Sequence, residues 1–313
     1  AGDAGALTAL AISGGGANGA FGAGLLKGWS ETGNRPEFRI VTGISTGALI
    51  APFAFIGSEM DEKLEKFYTT TSTGDLLIRR NRLFLLRIDS VTDSTPLRNI
   101  LLELFNPEFI EAIAREHRKG RRLYIGTTHL DAGRPMIWNI GAIAISDRPD
   151  VRELLADILL ASASIPGVFP PVLFQVEAGG ENYDEMHVDG GTASQVFLYP
   201  PSLNIKSLLE KLQQEHRDIS IYVIRNSKLS TNWVTVAPRV PAIAQRSIGV
   251  LIRSQGVGDV NQIYLRALRD KIDYNLAFIP PAFDMESNEE VDPVYMRARF
   301  DVGYKLGRDG DDW

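Results

Sequence analysis

Apolar and polar positions along this chain alternate between short and long runs. The short runs are apolar and bounded by glycine, proline or charge. They predict strands over residues 7–12, 38–42, 123–128, 136–140 and 219–225, the last of them β-branched. The longer runs repeat apolar residues every three or four positions. They predict helices over 20–32, 46–55, 62–68, 96–105, 107–119, 151–161 and 205–216. Pro96, Pro107 and Pro149 stand at or just before helix starts, where a missing N–H costs nothing. Residues 173–176 and 182–188 flank Gly179-Gly180 as a hairpin, and Asp131-Ala132-Gly133-Arg134 turns between two other strands. Strands alternating with helices imply an α/β fold, a mostly parallel sheet with helices on both faces.

The pattern weakens past residue 226. Residues 241–273 are long and helix-rich, with Gln255, Gly256, Gly258 and Asp259 in the middle. Ile263, Leu265, Leu268 and Ile272 recur at helical spacing and are expected in the core. Residues 275–279 predict an edge strand, and 295–306 a last helix ending at Gly307. Residues 4–26 and 40–58 carry no charge. Seven glycines interrupt the first, and a serine turn and Pro52 interrupt the second, so both read as buried core rather than membrane spans.

Chemistry concentrates at the ends of the predicted strands. Gly43-Ile44-Ser45-Thr46-Gly47 is a G-x-S-x-G between the 38–42 strand and the 46–55 helix. A serine on such a turn is pushed out of the sheet, with the amides of the next helix aimed at the same point. Ser13-Gly14-Gly15-Gly16-Ala17-Asn18-Gly19 follows the first strand and presents backbone N–H groups to an anion, either a phosphate or an oxyanion. Gly14, Gly16 and Gly19 also fit the dinucleotide fingerprint G-x-G-x-x-G, which asks for an acid at the end of the second strand. Here that strand ends in the serine turn, which favours an oxyanion hole. Asp189-Gly190-Gly191 follows Met186-His187-Val188 and by itself reads as a turn.

In this order, the three stretches resemble the patatin-like family of lipid acyl hydrolases. A fourth stretch agrees, Ala161-Ser162-Ala163-Ser164-Ile165-Pro166-Gly167-Val168-Phe169-Pro170-Pro171. The resemblance spans roughly residues 7–226 and implies a patatin-like three-layer fold. It implies one catalytic domain over 1–313, with a C-terminal helical extension from about 227. Ser45 would be the nucleophile and Asp189 its base. Gly15, Gly16 and Ala17 would supply the oxyanion amides, with Gly14 setting the loop's backbone angle within that hole. Gly43, Gly47, Gly190 and Gly191 would support the turns. The family often has arginine where this chain has Asn18 and aspartate where it has Ser13.

A Ser-His-Asp triad is the rival mechanism. The chain has 4 histidines. His117 and His216 lie in charged helix ends, and His129 closes a strand. His187 stands two residues before Asp189, on the same side of a strand.

Composition narrows the field. The chain has 313 residues, 44% of them hydrophobic, and a net charge of −6, which argues against a general nucleic-acid binder. It has no cysteine, so disulfides and thiolate metal sites are excluded. No H-E-x-x-H or calcium-loop pattern occurs, and the expected chemistry needs no metal or cofactor. Residues 76–88 hold eight apolar residues, four arginines and no acid. They read either as a peripheral contact with anionic lipid or an acyl-pocket lining, or as a partly buried connector. The chain opens at Ala1 without methionine, compatible with removal of an N-terminal segment, and the resemblance implies relatives that are often exported or lipid-anchored. The expected activity is metal-independent hydrolysis of a phospholipid or related acyl ester. The alternatives are a general carboxylesterase, an acyltransferase, a non-catalytic membrane-associated protein and a nucleotide binder.

Overall fold

The computed structural model describes residues 6–76, 78–79, 90, 92–200, 202–211, 218–231, 233–285, 287 and 291–310. In chain order the elements are β1 (Leu7–Ile12), α1 (Gly19–Glu31), β2 (Ile40–Ile44), α2 (Thr46–Ile56), α3 (Asp61–Thr70) and α4 (Thr73–Leu76). Next come β3 (Ile78–Arg79), β4 (Thr92–Asp93), α5 (Thr95–Leu104), α6 (Pro107–Arg118), β5 (Arg122–His129), β6 (Arg134–Asn139) and α7 (Ile140–Ala144). They are followed by α8 (Val151–Ala163), β7 (Val172–Ala178), β8 (Glu181–Asp189), α9 (Ile205–Lys211), β9 (Ile219–Arg225), α10 (Val240–Asp270), β10 (Asp273–Phe278) and α11 (Pro293–Asp309).

The main sheet has the order β10-β9-β1-β2-β5-β8-β7, with β6 also paired to β5. From β10 to β5 every pairing is parallel, and β6, β8 and β7 add antiparallel ladders. The pairing of β5 positions the site. Its residues 122–126 pair with β2, and 127–129 pair with β8. β6 holds the opposite edge over 124–129. A strand has two edges, so β8 must lie on the β2 side, beyond the end of β2. Ile44 faces Gly126 and Asp189 faces Thr127, so Asp189 occupies the next step along the edge where β2 turns out at Ser45.

Alternation along β1 divides the core. Leu10 and Ile12 face the larger cluster with α1, α2 and α11. Ala9 and Ala11 face a smaller one with Ile221, Val223 and Val260, Ile263 and Ala267 of α10. The sheet is thus covered on both faces. α2 is buried throughout, as its all-round apolar sequence requires.

α1 and α11 approach to backbone contact. A Cβ at Gly24 would fall 2.0 Å from the Phe300 carbonyl oxygen, and one at Gly28 would fall 2.1 Å from that of Tyr304. Reciprocally, Cβ atoms at Gly303 and Gly307 would fall 2.0 and 2.2 Å from the carbonyls of Phe21 and Leu25. Gly307 therefore lies inside α11 as a packing residue and is not the predicted stop. The helix closes on Gly310, at φ 72.

The α10 stripe also differs from its sequence reading. Ile263 and Ile272 are buried, but Leu265 and Leu268 are 59% and 63% exposed. The buried positions are Gly256, Val260, Ile263, Ala267 and Asp270, a spacing of four, three, four and three that leaves 265 and 268 on the outer face. The predicted edge strand is β10, which adds to the sheet beside β9. Residues 77 and 80–88 of the arginine-rich segment lie outside the described residues, as do 212–217 with His216. Among the described residues no helix is long and apolar enough to cross a membrane.

Candidate active site

Ser45 joins β2 to α2 at φ 55 and ψ −125, a conformation that L residues rarely hold without a reason. The turn closes because its glycines leave no side chain to clash. A Cβ on Gly47 would fall 2.2 Å from the Ile12 carbonyl, and one on Gly43 would fall 2.3 Å from that of Gly47. Ser162 fixes the backbone of Ser45. Its hydroxyl accepts the Ser45 N–H at 3.0 Å and donates to the Gly126 carbonyl at 2.7 Å.

Asp189 ends β8 and is 5% exposed. Its N–H donates to the Ser164 carbonyl at 2.8 Å, and its Oδ1 accepts the Gly191 N–H at 2.6 Å. Burial pushes its carboxyl up to about 6, against the opposing pull of the Ser45 hydroxyl and the Gly191 amide. The hydroxyl is close enough to exert that pull, yet Oδ2 closes no hydrogen bond of full geometry. Apo sites commonly hold such contacts long and tighten them on the substrate.

The glycine-rich loop lies against the same turn. A Cβ on Gly14 would stand 3.2 Å from that of Ser45. The Gly14 N–H donates to the Gln195 carbonyl at 3.0 Å, so it serves the fold and not an oxyanion. Gly15, Gly16 and Ala17 precede or open a 3-10 turn whose Asn18 N–H bonds the Gly15 carbonyl at 3.2 Å. Their own amides come before that turn's ladder and have no partner within it. Gly16, Ala17, Ser45 and Thr46 line a cavity of about 250 Å³. Its walls are mostly apolar, among them Leu49, Phe67, Leu97, Val168 and Met296. Leu76, the first residue of the arginine-rich segment, also reaches it.

Three supporting residues had no assigned role in the sequence reading. Gln195 joins the two loops: its Nε2 donates to the Gly191 carbonyl at 2.7 Å, while its own N–H is held by Asp259 of α10 at 2.7 Å. Asn226 is fully buried and donates from Nδ2 to the Ser13 carbonyl at 2.9 Å, and its N–H donates to the Ser13 hydroxyl at 2.9 Å. Ser162 was visible only as part of a motif. A polar residue directly after a strand end, as Asn226 is, was the available local signal.

Among the described residues, the histidines do not line the cavity at Ser45. His187 is fully buried beside Thr127, whose hydroxyl meets its Nδ1 at 2.9 Å, and its ring packs edge-on against Phe174. Burial lowers its pKa, which keeps the ring neutral. His117 packs against Gly141 and is not the solvated residue its context suggested. Among the described residues, His129, Glu185 and His187 could hold a metal ion, with ligand atoms within 4.8 Å of one another. The Ala132 N–H donates to His129 Nδ1 at 3.2 Å, which puts the neutral ring's proton on Nε2, toward Glu185. That arrangement suits a hydrogen bond to the carboxylate.

Comparison with protein families adds a decisive match. The family described as patatin-like phospholipase matches residues 10–200, which include the glycine loop, the serine turn and Asp189-Gly190-Gly191. The chain belongs to this family. Among solved structures, this patatin-like chain is similar to VipD from Legionella pneumophila, with 12% identity and a TM-score of 0.47 over 97% of this chain and 66% of that one. It is also similar to ExoU in its complex with SpcU, from the type III secretion system of Pseudomonas aeruginosa. That match has 17% identity and a TM-score of 0.37, over 97% of this chain and 51% of that one. The patatin-like chain thus spans just under two thirds of VipD and about half of ExoU. Comparison with curated protein sequences finds no match.

Proposed function

We propose that this protein is a lipid acyl hydrolase working through a Ser45–Asp189 dyad. Ser45 Oγ attacks the ester carbonyl as its proton passes to Asp189. The carbonyl oxygen takes up the negative charge against the amides of Gly15, Gly16 and Ala17. Asp189 returns the proton to the departing alcohol, leaving an acyl-Ser45 ester. Water then gives a proton to Asp189 and attacks that ester, and the proton returns to Ser45 as the fatty acid leaves. No step calls on a metal ion.

The observation that carries this reading is the placement of Ser45. It lines an apolar cavity, on a strained turn, beside a buried carboxyl held near 6. A carboxylate of ordinary acidity is a poor base toward an alcohol, and burial strengthens it. The apolar walls support a fatty acyl group over a short soluble ester. We also take residues 227–310 as part of the same catalytic domain. In support, β10 extends the sheet, α11 packs on α1, and Met296 of α11 lines the cavity.

The test is hydrolysis of phospholipid and of long and short p-nitrophenyl esters, in EDTA, by wild type and Ser45→Ala. Serine-dependent release of fatty acid with a preference for longer chains is expected. Wild-type rates in Ser45→Ala would remove the nucleophile assignment, and turnover of short esters alone would favour a general esterase.

A further inference from the structure

On the other side of the glycine loop lies a second cavity, of about 550 Å³. Successive residues wall the two: Ala17 and Met296 line the apolar one, Asn18 and Tyr295 the second. The second cavity is strongly cationic. Among the described residues, Arg225, Lys228, Arg246, Arg253 and Arg299 line it against one acid, Asp284, which lies 3.9 Å from Lys228 Nζ. Most of its wall comes from residues 219–258, which contain no Asp or Glu in a chain of net charge −6.

Two of these arginines are buried without sufficient partners. Arg225 is 1% exposed, and its Nε and Nη1 make no hydrogen bond. Its guanidinium lies flat on α10 at Gly256, where a Cβ would fall 2.2 Å from Nη2. Asp259 lends it some Coulombic support, but burial still pulls its pKa down to about 10. Arg299 is 5% exposed, and its Nε and Nη1 are likewise unpartnered. Its Nη2 donates to Tyr295 Oη at 2.6 Å, and its guanidinium sits 3.8 Å from the Phe283 ring centroid. Burying a guanidinium with open N–H groups is costly unless an anion completes it. Two such groups facing one cavity make a site for an anion with several acceptor oxygens. The site is wired to the oxyanion loop, because Tyr295 Oη donates in turn to Asn18 Oδ1 at 2.7 Å.

We propose that this cavity binds a phosphate group, and that this group is the head-group phosphate of the lipid whose ester reaches Ser45. Only the ligand's source rests on the hydrolase reading. The charge and burial of the cavity do not. The geometry places the acyl chain on one side of the glycine loop and the phosphate on the other.

The test is calorimetric titration of Ser45→Ala protein, so that binding is read without turnover, with inorganic phosphate and with glycerophosphocholine as probes. Both are expected to bind and to compete. Arg299→Gln and Arg225→Gln should each weaken binding about ten-fold, and the rim variant Arg253→Gln severalfold. Circular dichroism establishes that each variant is folded, and Arg253→Gln keeps the test open if the buried variants are not. Absence of binding by both probes, or equal affinity in the folded arginine variants, would overturn the site. The guanidiniums would then be neutralised within the chain. Binding of inorganic phosphate without glycerophosphocholine would overturn the lipid source and leave a free-phosphate site. Loss of Ser45-dependent hydrolysis as a reading would leave the anion titration unchanged.

Discussion

Replacing Asp189 with asparagine separates catalysis from stability. The substitution is isosteric. Its Oδ1 can still accept the Gly191 N–H, and its new amide takes the place of Oδ2, which has no hydrogen-bond partner. In the wild type, burial moves this carboxyl from its ordinary 3.8 to about 6. A raised carboxyl pKa means that the folded state keeps a proton the unfolded chain has already lost. Stability is therefore fullest below about pH 4 and is lost as pH rises toward 6. Linkage puts the loss at roughly 2 kcal/mol at pH 5 and about 3 kcal/mol at pH 8. Asparagine never ionises, so it escapes the loss. Relative to wild type, Asp189→Asn should gain about 1 kcal/mol more at pH 8 than at pH 5, whatever its fixed offset. Urea unfolding at the two pH values reads that difference, and an ester assay on the same samples reads the expected loss of turnover. A stability difference that does not change with pH, or hydrolysis that survives, would refute the reasoning.

Three further outcomes follow from the same geometry. In the wild type, kcat/KM should rise with pH through an inflection near 6, because Asp189 acts only when unprotonated; a profile flat from pH 5 to 8 would assign the base elsewhere. Ser162→Ala leaves the Ser45 N–H without its acceptor and the Gly126 carbonyl without its donor, so kcat should fall about ten-fold with little change in KM. Gly303→Val forces a side chain into the Phe21 carbonyl across the α1–α11 contact, and should destabilise the fold by about 1–3 kcal/mol or more in urea unfolding.

Much of this molecule was legible in its sequence, for local reasons. β1 and β9 occupy the predicted residues, 7–12 and 219–225. An apolar run ending at glycine or a cation leaves little freedom in where a buried strand begins and stops. The serine turn was legible because its backbone angles and its contact with Ile12 admit few residues besides glycine at 43 and 47. What escaped was non-local. The hydrogen bond from Ser45 to Ser162 spans 117 residues, and the pairing of Asn226 with Ser13 spans 213. No periodicity encodes such contacts. Leu265 and Leu268 were misplaced because apolar residues at helical spacing report a stripe without saying which of two overlapping stripes meets the sheet. Gly307 was read as a stop because a helix-ending glycine and a packing glycine look alike until a second helix lies against it. Arg225 and Arg299 each resemble an ordinary cation in their own segment, and only the fold brings them to one cavity.

The most direct test of the central claim is covalent labelling with a long-chain alkyl fluorophosphonate, followed by peptide mass mapping. The dyad account predicts a single adduct on Ser45, formed quickly by wild type and lost or greatly slowed in Asp189→Asn. An adduct on another residue, or labelling of Ser45 that does not depend on Asp189, would contradict it.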